Sequence, residues 1–172
     1  SNRRIAGALI RAAHNGKQVA VVVELKARFD EAHNIRWARE MEEAGVHVSY
    51  GLAGYKVHAK LCLIVRQEDE GLRHYLHLGT GNYNPNTAKL YTDLGLMTCR
   101  KEYGEDVAAL FYSLTGICEF QGADKLIGAP YDYYKTIHGY IERGIAHAAP
   151  GKPALKIAMM NLHVDQSYYC DQ

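Results

Sequence analysis

The sequence predicts an α/β domain, a mixed sheet flanked by helices, and three observations carry that expectation. Residues 18–25 hold the run Val-Ala-Val-Val-Val, apolar on both faces. Such a run predicts a central strand buried on both sides. A helical segment and a second strand follow it, and strand–helix–strand order marks a βαβ unit. Further short strands then alternate with amphipathic helices.

Each element follows from a local pattern. Residues 5–15 read as a helix with Ile5, Leu9, Ala12 and Ala13 on one face and a stop at Asn15-Gly16. Residues 33–44 are helical, with Ile35, Ala38 and Met41 as the inner stripe and Gly45 as the stop. Residues 46–50 give the second strand. Residues 61–65 and 74–78 read as strands flanking 67–73, a charged stretch with Gly71 expected as an exposed hairpin loop. A Gly/Asn loop spans 79–85, and 94–98 is a further strand. Residues 105–114 form an amphipathic helix closed by Gly116, and 117–130 read as a connection. Residues 134–148 are helical, with Ile137, Ile141 and Ile145 at helical spacing. Pro150 and Pro153 break that pattern, and 154–160 begin a new strand.

Composition narrows the function classes. With 172 residues, 23% of them charged and 48% hydrophobic, the chain is long and apolar enough for a real core, not a disordered segment. The longest unbroken apolar run is far short of the roughly 20 residues of a membrane span. Charge is balanced, 20 Lys+Arg against 19 Asp+Glu, which argues against a broad nucleic-acid surface and leaves room for a local cationic pocket. The cysteines Cys62, Cys99, Cys118 and Cys170 form no CxxC pair, and Cys62 in its apolar run reads as a buried thiol. A reducing, cytoplasmic setting fits these thiols. The N-terminus, Ser-Asn-Arg-Arg, has no initiator Met and reads as a cut.

The chemistry concentrates in Val57-His58-Ala59-Lys60, just ahead of an apolar strand. On a strand, residues i and i+2 share a face, so the imidazole and the ammonium are expected in one cleft. A neutral imidazole is a nucleophile toward phosphorus, and a lysine offsets charge building on phosphoryl oxygens. Downstream lies Gly79-Thr80-Gly81-Asn82. Its glycines let backbone amides approach an anion, while Thr80 and Asn82 add side-chain donors. His74 and His77 sit on opposite faces of their strand and make no metal pair. Asn84 stands where a dinucleotide fingerprint needs its third glycine, and no Walker loop is present.

HxK followed by G-[ST]-x-N resembles the phospholipase D superfamily motif, except that Val65 stands where that superfamily carries an Asp. The longer match is to the first polyphosphate kinase family. It is carried by the residues at 24–31 (ELKARFDE), 45–47, 57–61, 77–84 (HLGTGNYN) and 87–93, and runs from about Gly7 to about Asp165. The resemblance implies two phospholipase D-like catalytic domains and reversible transfer of the terminal phosphate of ATP to inorganic polyphosphate through a phosphohistidine. His58 matches the phosphorylated histidine, with Lys60 and Asn82 holding phosphoryl oxygens. Gly79, Thr80 and Gly81 match the phosphate loop, and Tyr91 an aromatic residue at the ATP site. Arg28 matches an arginine of the magnesium and phosphate site. A guanidinium carries no acceptor, so it serves there as a phosphate clamp, not a direct metal ligand.

The resemblance further implies Mg2+ as cofactor, ATP or ADP and polyphosphate as partners, and a homo-oligomeric parent. It implies no nucleic-acid partner, no membrane insertion, and a cytoplasmic location with peripheral membrane contact left open. Residues 1–122 are expected to be most of the first catalytic domain, and 123–172 the truncated start of a second. The isolated chain is expected to be inactive. The alternatives are a phospholipase D-like phosphodiesterase or nuclease module, and a non-catalytic polyphosphate-binding remnant.

Overall fold

The computed structural model describes residues 3–24, 31–51, 54 and 56–148. The chain divides into two compact units, Ser1–Gly128 and Ala129–Gln172. The first holds α1 (Arg3–His14), β1 (Ala20–Val22), α2 (Glu31–Glu43), β2 (His47–Ser49), β3 (Lys60–Glu68), β4 (Gly71–Gly79), β5 (Gly95–Thr98) and α3 (Lys101–Leu114). The second holds α4 (Tyr133–His147). The architecture is the expected α/β one, with both strand directions present.

The β1–α2–β2 segment is the βαβ unit. Its strands pair in parallel, Ala20 with His47 and Val22 with Ser49. Two bonds extend the ladder, His47 N–H to the Val19 carbonyl at 2.9 Å and Val23 N–H to the Ser49 carbonyl at 2.8 Å. The strand is nevertheless shorter than the valine run, and its residues are exposed or half-buried. Among the described residues it has one neighbouring strand, and none of its three residues is fully covered. The expectation of a strand buried on both sides is corrected accordingly.

Gly45, at φ 85°, closes α2 and turns the chain into β2. Its N–H bonds the Glu42 carbonyl at 2.9 Å and the Val46 N–H reaches the Met41 carbonyl at 3.0 Å, the paired bonds of a Schellman cap. The same pattern ends α1 at Gly16 and α3 at Gly116. Ala38 and Met41 are buried on α2 as the stripe predicts, but Ile35 is exposed. On α4, Ile141 and Ile145 are exposed as well.

The second ladder is an antiparallel meander, β3–β4–β5. Here the structure corrects the expected loop at 67–73. Both strands continue through it, pairing Arg66 with Arg73 and Glu68 with Gly71 around a two-residue turn. Cross-strand contacts explain the extension. Tyr75 donates to Glu68 at 2.5 Å, Arg73 lies 3.6 Å from the same carboxylate, and the guanidiniums of Arg66 and Arg73 sit 5.9 and 5.6 Å from the Tyr75 ring centre. Charged residues are compatible with a strand whose surroundings remain wet.

Helix α3 packs on β3 and β4. The approach is close at Gly104, where an added Cβ would lie 2.6 Å from the Cβ of His74. His74 therefore faces α3, and His77, an odd number of residues along the strand, faces the other side. Leu76 and Val107 are buried in this layer. Cys62, expected as a buried thiol, is exposed, because its side of the meander lies opposite α3. The two ladders are tied by Ser49 Oγ donating to the Leu114 carbonyl at 3.2 Å and by the Val57 N–H donating to Glu24 at 3.0 Å.

The expected strand at 154–160 and the residue Arg28 lie outside the described residues. Among the described residues, no helix is long and apolar enough to cross a membrane.

Candidate functional site

The candidate site gathers at the end of the meander where β3 begins. Lys60 is the first residue of β3 and pairs across the ladder with Gly79, which pairs in turn with Gly95 of β5. The cross-strand row Lys60–Gly79–Gly95 thus joins the HxK motif to the base of the Gly-Thr-Gly-Asn loop. The next row on the same face is Cys62–His77–Met97.

His58 is exposed and precedes the strand instead of lying on it. The expected i, i+2 strand geometry is therefore corrected. Lys60 turns back and donates its ammonium to the backbone carbonyl of His58. Lys60 itself is only 8% exposed. Burial pushes its pKa below the ordinary value, the Asp93 carboxylate opposes this, and the Lys56 charge pushes it down further.

The loop is braced from within. Thr80 N–H donates to the Leu94 carbonyl at 3.0 Å. The Thr80 hydroxyl donates to Asp93 Oδ1 at 2.9 Å and accepts from the Leu94 N–H at 3.0 Å. Thr80, expected as a donor to an incoming anion, thus spends its hydroxyl on Asp93. At Gly81 an added Cβ would fall 2.2 Å from Asp93 Oδ2, so this glycine admits the carboxylate. Asn82 is exposed, and its side chain makes no hydrogen bond among the described residues.

Sequence reasoning missed three participants. His77 lies over the Lys60 row, where an added Cβ would be 3.1 Å from its Cε1 at Gly79 and 3.0 Å from its Nε2 at Gly95. Its Nδ1 is 2.7 Å from the Tyr83 hydroxyl, and the rings are 5.6 Å apart. Burial raises the Tyr83 hydroxyl's pKa, and the nearby Cys62 adds to that. Asp93 is the third. The glycines of HLGTGNYN were the available signal for His77 and Asp93, since Gly79 and Gly81 mark places where those side chains come close; nothing in the sequence marked Tyr83.

Tyr91 follows a short 3-10 turn at Thr87–Lys89 and is 61% exposed, with Leu90 and Leu94 exposed beside it. Its ring is open to an incoming planar group. At this end of the meander lies a cavity of about 260 Å3, lined by Lys60, Leu78, Asp106, Leu110, Phe120 and Leu126 among others. Asp106 holds its wall. It accepts the N–H groups of Asp124, Lys125 and Leu126 at 2.9, 2.8 and 2.9 Å. Burial raises its pKa, but those donors and the Lys125 charge outweigh that, leaving the carboxyl below its ordinary range.

The donor set is an imidazole, an ammonium, an amide and backbone N–H groups, which suits an anion with several oxygens. It does not suit a resident magnesium ion, which takes oxygen ligands. Asp93 is the carboxylate at the loop and is already engaged, and no group of three His, Cys, Asp or Glu among the described residues could hold a metal.

Comparisons with known proteins bear on the chain's family and fold. The family model described as polyphosphate kinase C-terminal domain 1 matches residues 1–120. The chain is 55% identical over 161 residues to the polyphosphate kinase of Synechocystis sp., covering 94% of this chain and 22% of that protein. It is 51% identical over 154 residues to the polyphosphate kinase of Neisseria meningitidis serogroup C, covering 90% of this chain and again 22% of the relative. The crystal structure of polyphosphate kinase from Porphyromonas gingivalis superposes with a TM-score of 0.75 at 40% identity, covering 88% of this chain and 26% of that one. The chain thus spans under a quarter of these curated relatives.

Proposed function

The chain belongs to the polyphosphate kinase C-terminal domain 1 family, and from that membership we propose that the protein containing it moves the terminal phosphate of ATP reversibly onto inorganic polyphosphate. The observation that carries this reading is the Lys60–Gly79–Gly95 row, which sets the histidine motif against the Gly/Asn loop.

In the proposed reaction a neutral ring nitrogen of His58 attacks the γ-phosphorus of ATP. The N–P bond forms as the bond to the β,γ-bridging oxygen breaks, and ADP leaves with that electron pair. A terminal oxygen of polyphosphate then attacks the phosphorus, breaks the N–P bond and carries the phosphoryl group away. The reverse sequence makes ATP from ADP. Such transfers are catalysed by positioning and by fixed donors around the equatorial oxygens.

Each residue has a part in this reading. Lys60 fixes the His58 backbone through the carbonyl it binds and lends positive charge to the phosphoryl oxygens. Asn82 and the Gly81 amide supply further donors. Tyr91 offers its exposed ring to the adenine base. Arg28, by resemblance, clamps the phosphate with its two-pronged guanidinium. Magnesium enters with the ATP phosphates, consistent with a donor set that does not fit the ion by itself.

The wider parts of the proposal rest on the resemblance. They are a second phospholipase D-like domain beginning near residue 123, a homo-oligomeric parent and a cytoplasmic location. Residues 1–172 tested on their own are expected to turn over no polyphosphate, since this reading gives part of the phosphoryl cage to a second domain.

The experiment is direct. Full-length protein is given ADP and long-chain polyphosphate, and ATP is measured by luminescence. Steady polyphosphate-dependent ATP formation is expected, and none at any protein concentration contradicts the proposal.

A further inference from the structure

We propose that Asp93 is the positioning residue of the phosphate loop: its carboxylate fills the hollow over Gly81, fixes Thr80, and serves as the counter-charge of Lys60 until a phosphoryl group arrives. The inference rests on the phosphoryl-transfer reading of the site.

The geometry has three parts. First, Gly81 is tight. An added Cβ would stand 2.2 and 2.5 Å from Oδ2 and Cγ of Asp93, closer than carbon can approach either, and a tight 3.0 Å from its Cβ. The glycine is therefore needed for Asp93, whatever else the loop binds. Second, Thr80 is held from two sides. Its hydroxyl joins Asp93 to the Leu94 N–H, and its own N–H bonds the Leu94 carbonyl. A rotating hydroxyl is thereby pinned, and the loop's conformation is set before substrate binds. Pre-set donors cost no reorganisation when charge develops.

The third part is charge. The charged and titratable groups around Lys60 are Lys56 ahead of β3, Cys62 on β3, His77 on β4, Tyr83 in the loop, Asp93 ahead of β5 and Asp106 on α3. Burial and Lys56 both disfavour the ammonium, and Asp93 is the carboxylate acting on it. An entering phosphoryl group brings its own negative charge and takes over that role. Asp93 thus serves as the counter-charge while the site is empty, and its bond to Thr80 acts in the bound state as well, where an uncharged acceptor would hold the hydroxyl less tightly. The Asp93 charge also opposes an incoming anion, so its benefit should appear in turnover, not in affinity.

The test uses the full-length protein and ATP formation from ADP and long-chain polyphosphate. Asp93→Asn keeps the shape and removes the charge. It should lower kcat at least tenfold and leave the polyphosphate KM within twofold or reduced. The alkaline limb of the kcat/KM pH profile, which reports the empty site, should move to lower pH, because Lys60 loses its proton earlier. A merely structural role would raise KM and leave that limb in place. Gly81→Ala should cost at least tenfold in kcat in the natural background and less than threefold more on top of Asp93→Ala, since the clash is with that side chain. Thr80→Val, which deletes the hydroxyl at constant volume, should also cost at least tenfold and serves if the Asp93 variants do not fold.

Asp93→Asn with kcat within twofold and an unmoved pH profile overturns the inference. So does Gly81→Ala costing as much without Asp93 as with it, or a fully active Thr80→Val. An active wild type with unaffected variants sinks this inference alone. A wild type that makes no ATP from ADP and polyphosphate sinks the functional reading, and this inference with it.

Discussion

Lys60 donates its ammonium to the backbone carbonyl of His58, two residues upstream, and so fixes the backbone that carries the candidate nucleophile. The side chain is buried, and its burial lowers the ammonium's pKa. One group therefore joins positioning to electrostatics.

Lys60→Met retains much of the length and removes both contributions. Losing one preorganised donor to a developing phosphoryl charge typically costs about a hundredfold or more in turnover. Polyphosphate-dependent ATP formation by full-length Lys60→Met should fall by at least that factor, with thermal stability unchanged or raised, since a buried charge is gone. Turnover within threefold of wild type would remove Lys60 from the mechanism.

Asp106 predicts a pH-dependent contribution to stability. Its folded pKa lies below the ordinary 3.8, because the three backbone N–H donors and Lys125 outweigh burial. A depressed carboxyl pKa stabilises the fold above the unfolded value, and that contribution is lost as pH falls through the folded one. Asp106→Ala leaves three half-buried N–H groups without their carboxylate and should cost on the order of 1–2 kcal/mol at pH 7. Chemical denaturation at pH 7 and near pH 3 measures this, and the gap between wild type and variant should shrink at the acid end. A gap below about 0.5 kcal/mol at pH 7, or one that widens in acid, contradicts the assignment.

The isolated chain should self-associate. Strand β5 pairs only β4 among the described residues, and Leu94 just ahead of it and Met97 within it are 73% and 82% exposed. An unpaired apolar edge is a template for pairing with another chain. Light scattering of the purified 172-residue chain should show species larger than the monomer, and Met97→Lys should reduce them. A monodisperse monomer that steadily makes ATP from ADP and polyphosphate would contradict both the self-association and the need for a second domain.

Much of this was legible in the sequence where the signal is local. The glycine stops at Gly16, Gly45 and Gly116 each close a helix, because a positive-φ residue there is a backbone requirement. The βαβ order was read correctly because Gly45 separates a helical stripe from a strand. The errors lie where tertiary context decides. The valine run looked buried on both faces, but burial depends on neighbours that no window of sequence contains. The charged stretch at 67–73 looked like a loop because the Glu68–Tyr75–Arg73 contacts exist only once the strands pair. His58 and Lys60 looked like strand partners because the sequence does not mark where β3 begins.

Within the site, Gly81 reads in the sequence as an opening for an external anion, and the structure shows that it also admits Asp93. Asp106 carried a signal that went unused. It shares the helical stripe of Tyr103, Val107 and Leu110, and an acid on an inner face needs partners.

The central claim is that His58 carries the phosphoryl group, and phosphate labelling tests it most directly. Full-length protein is exposed to ATP labelled at the γ-phosphate, with magnesium, then digested and mapped by mass spectrometry under alkaline conditions. The account predicts an acid-labile, alkali-stable phosphate on the peptide containing His58, and no label on His58→Ala. Undiminished labelling of His58→Ala would contradict it and move the nucleophile elsewhere.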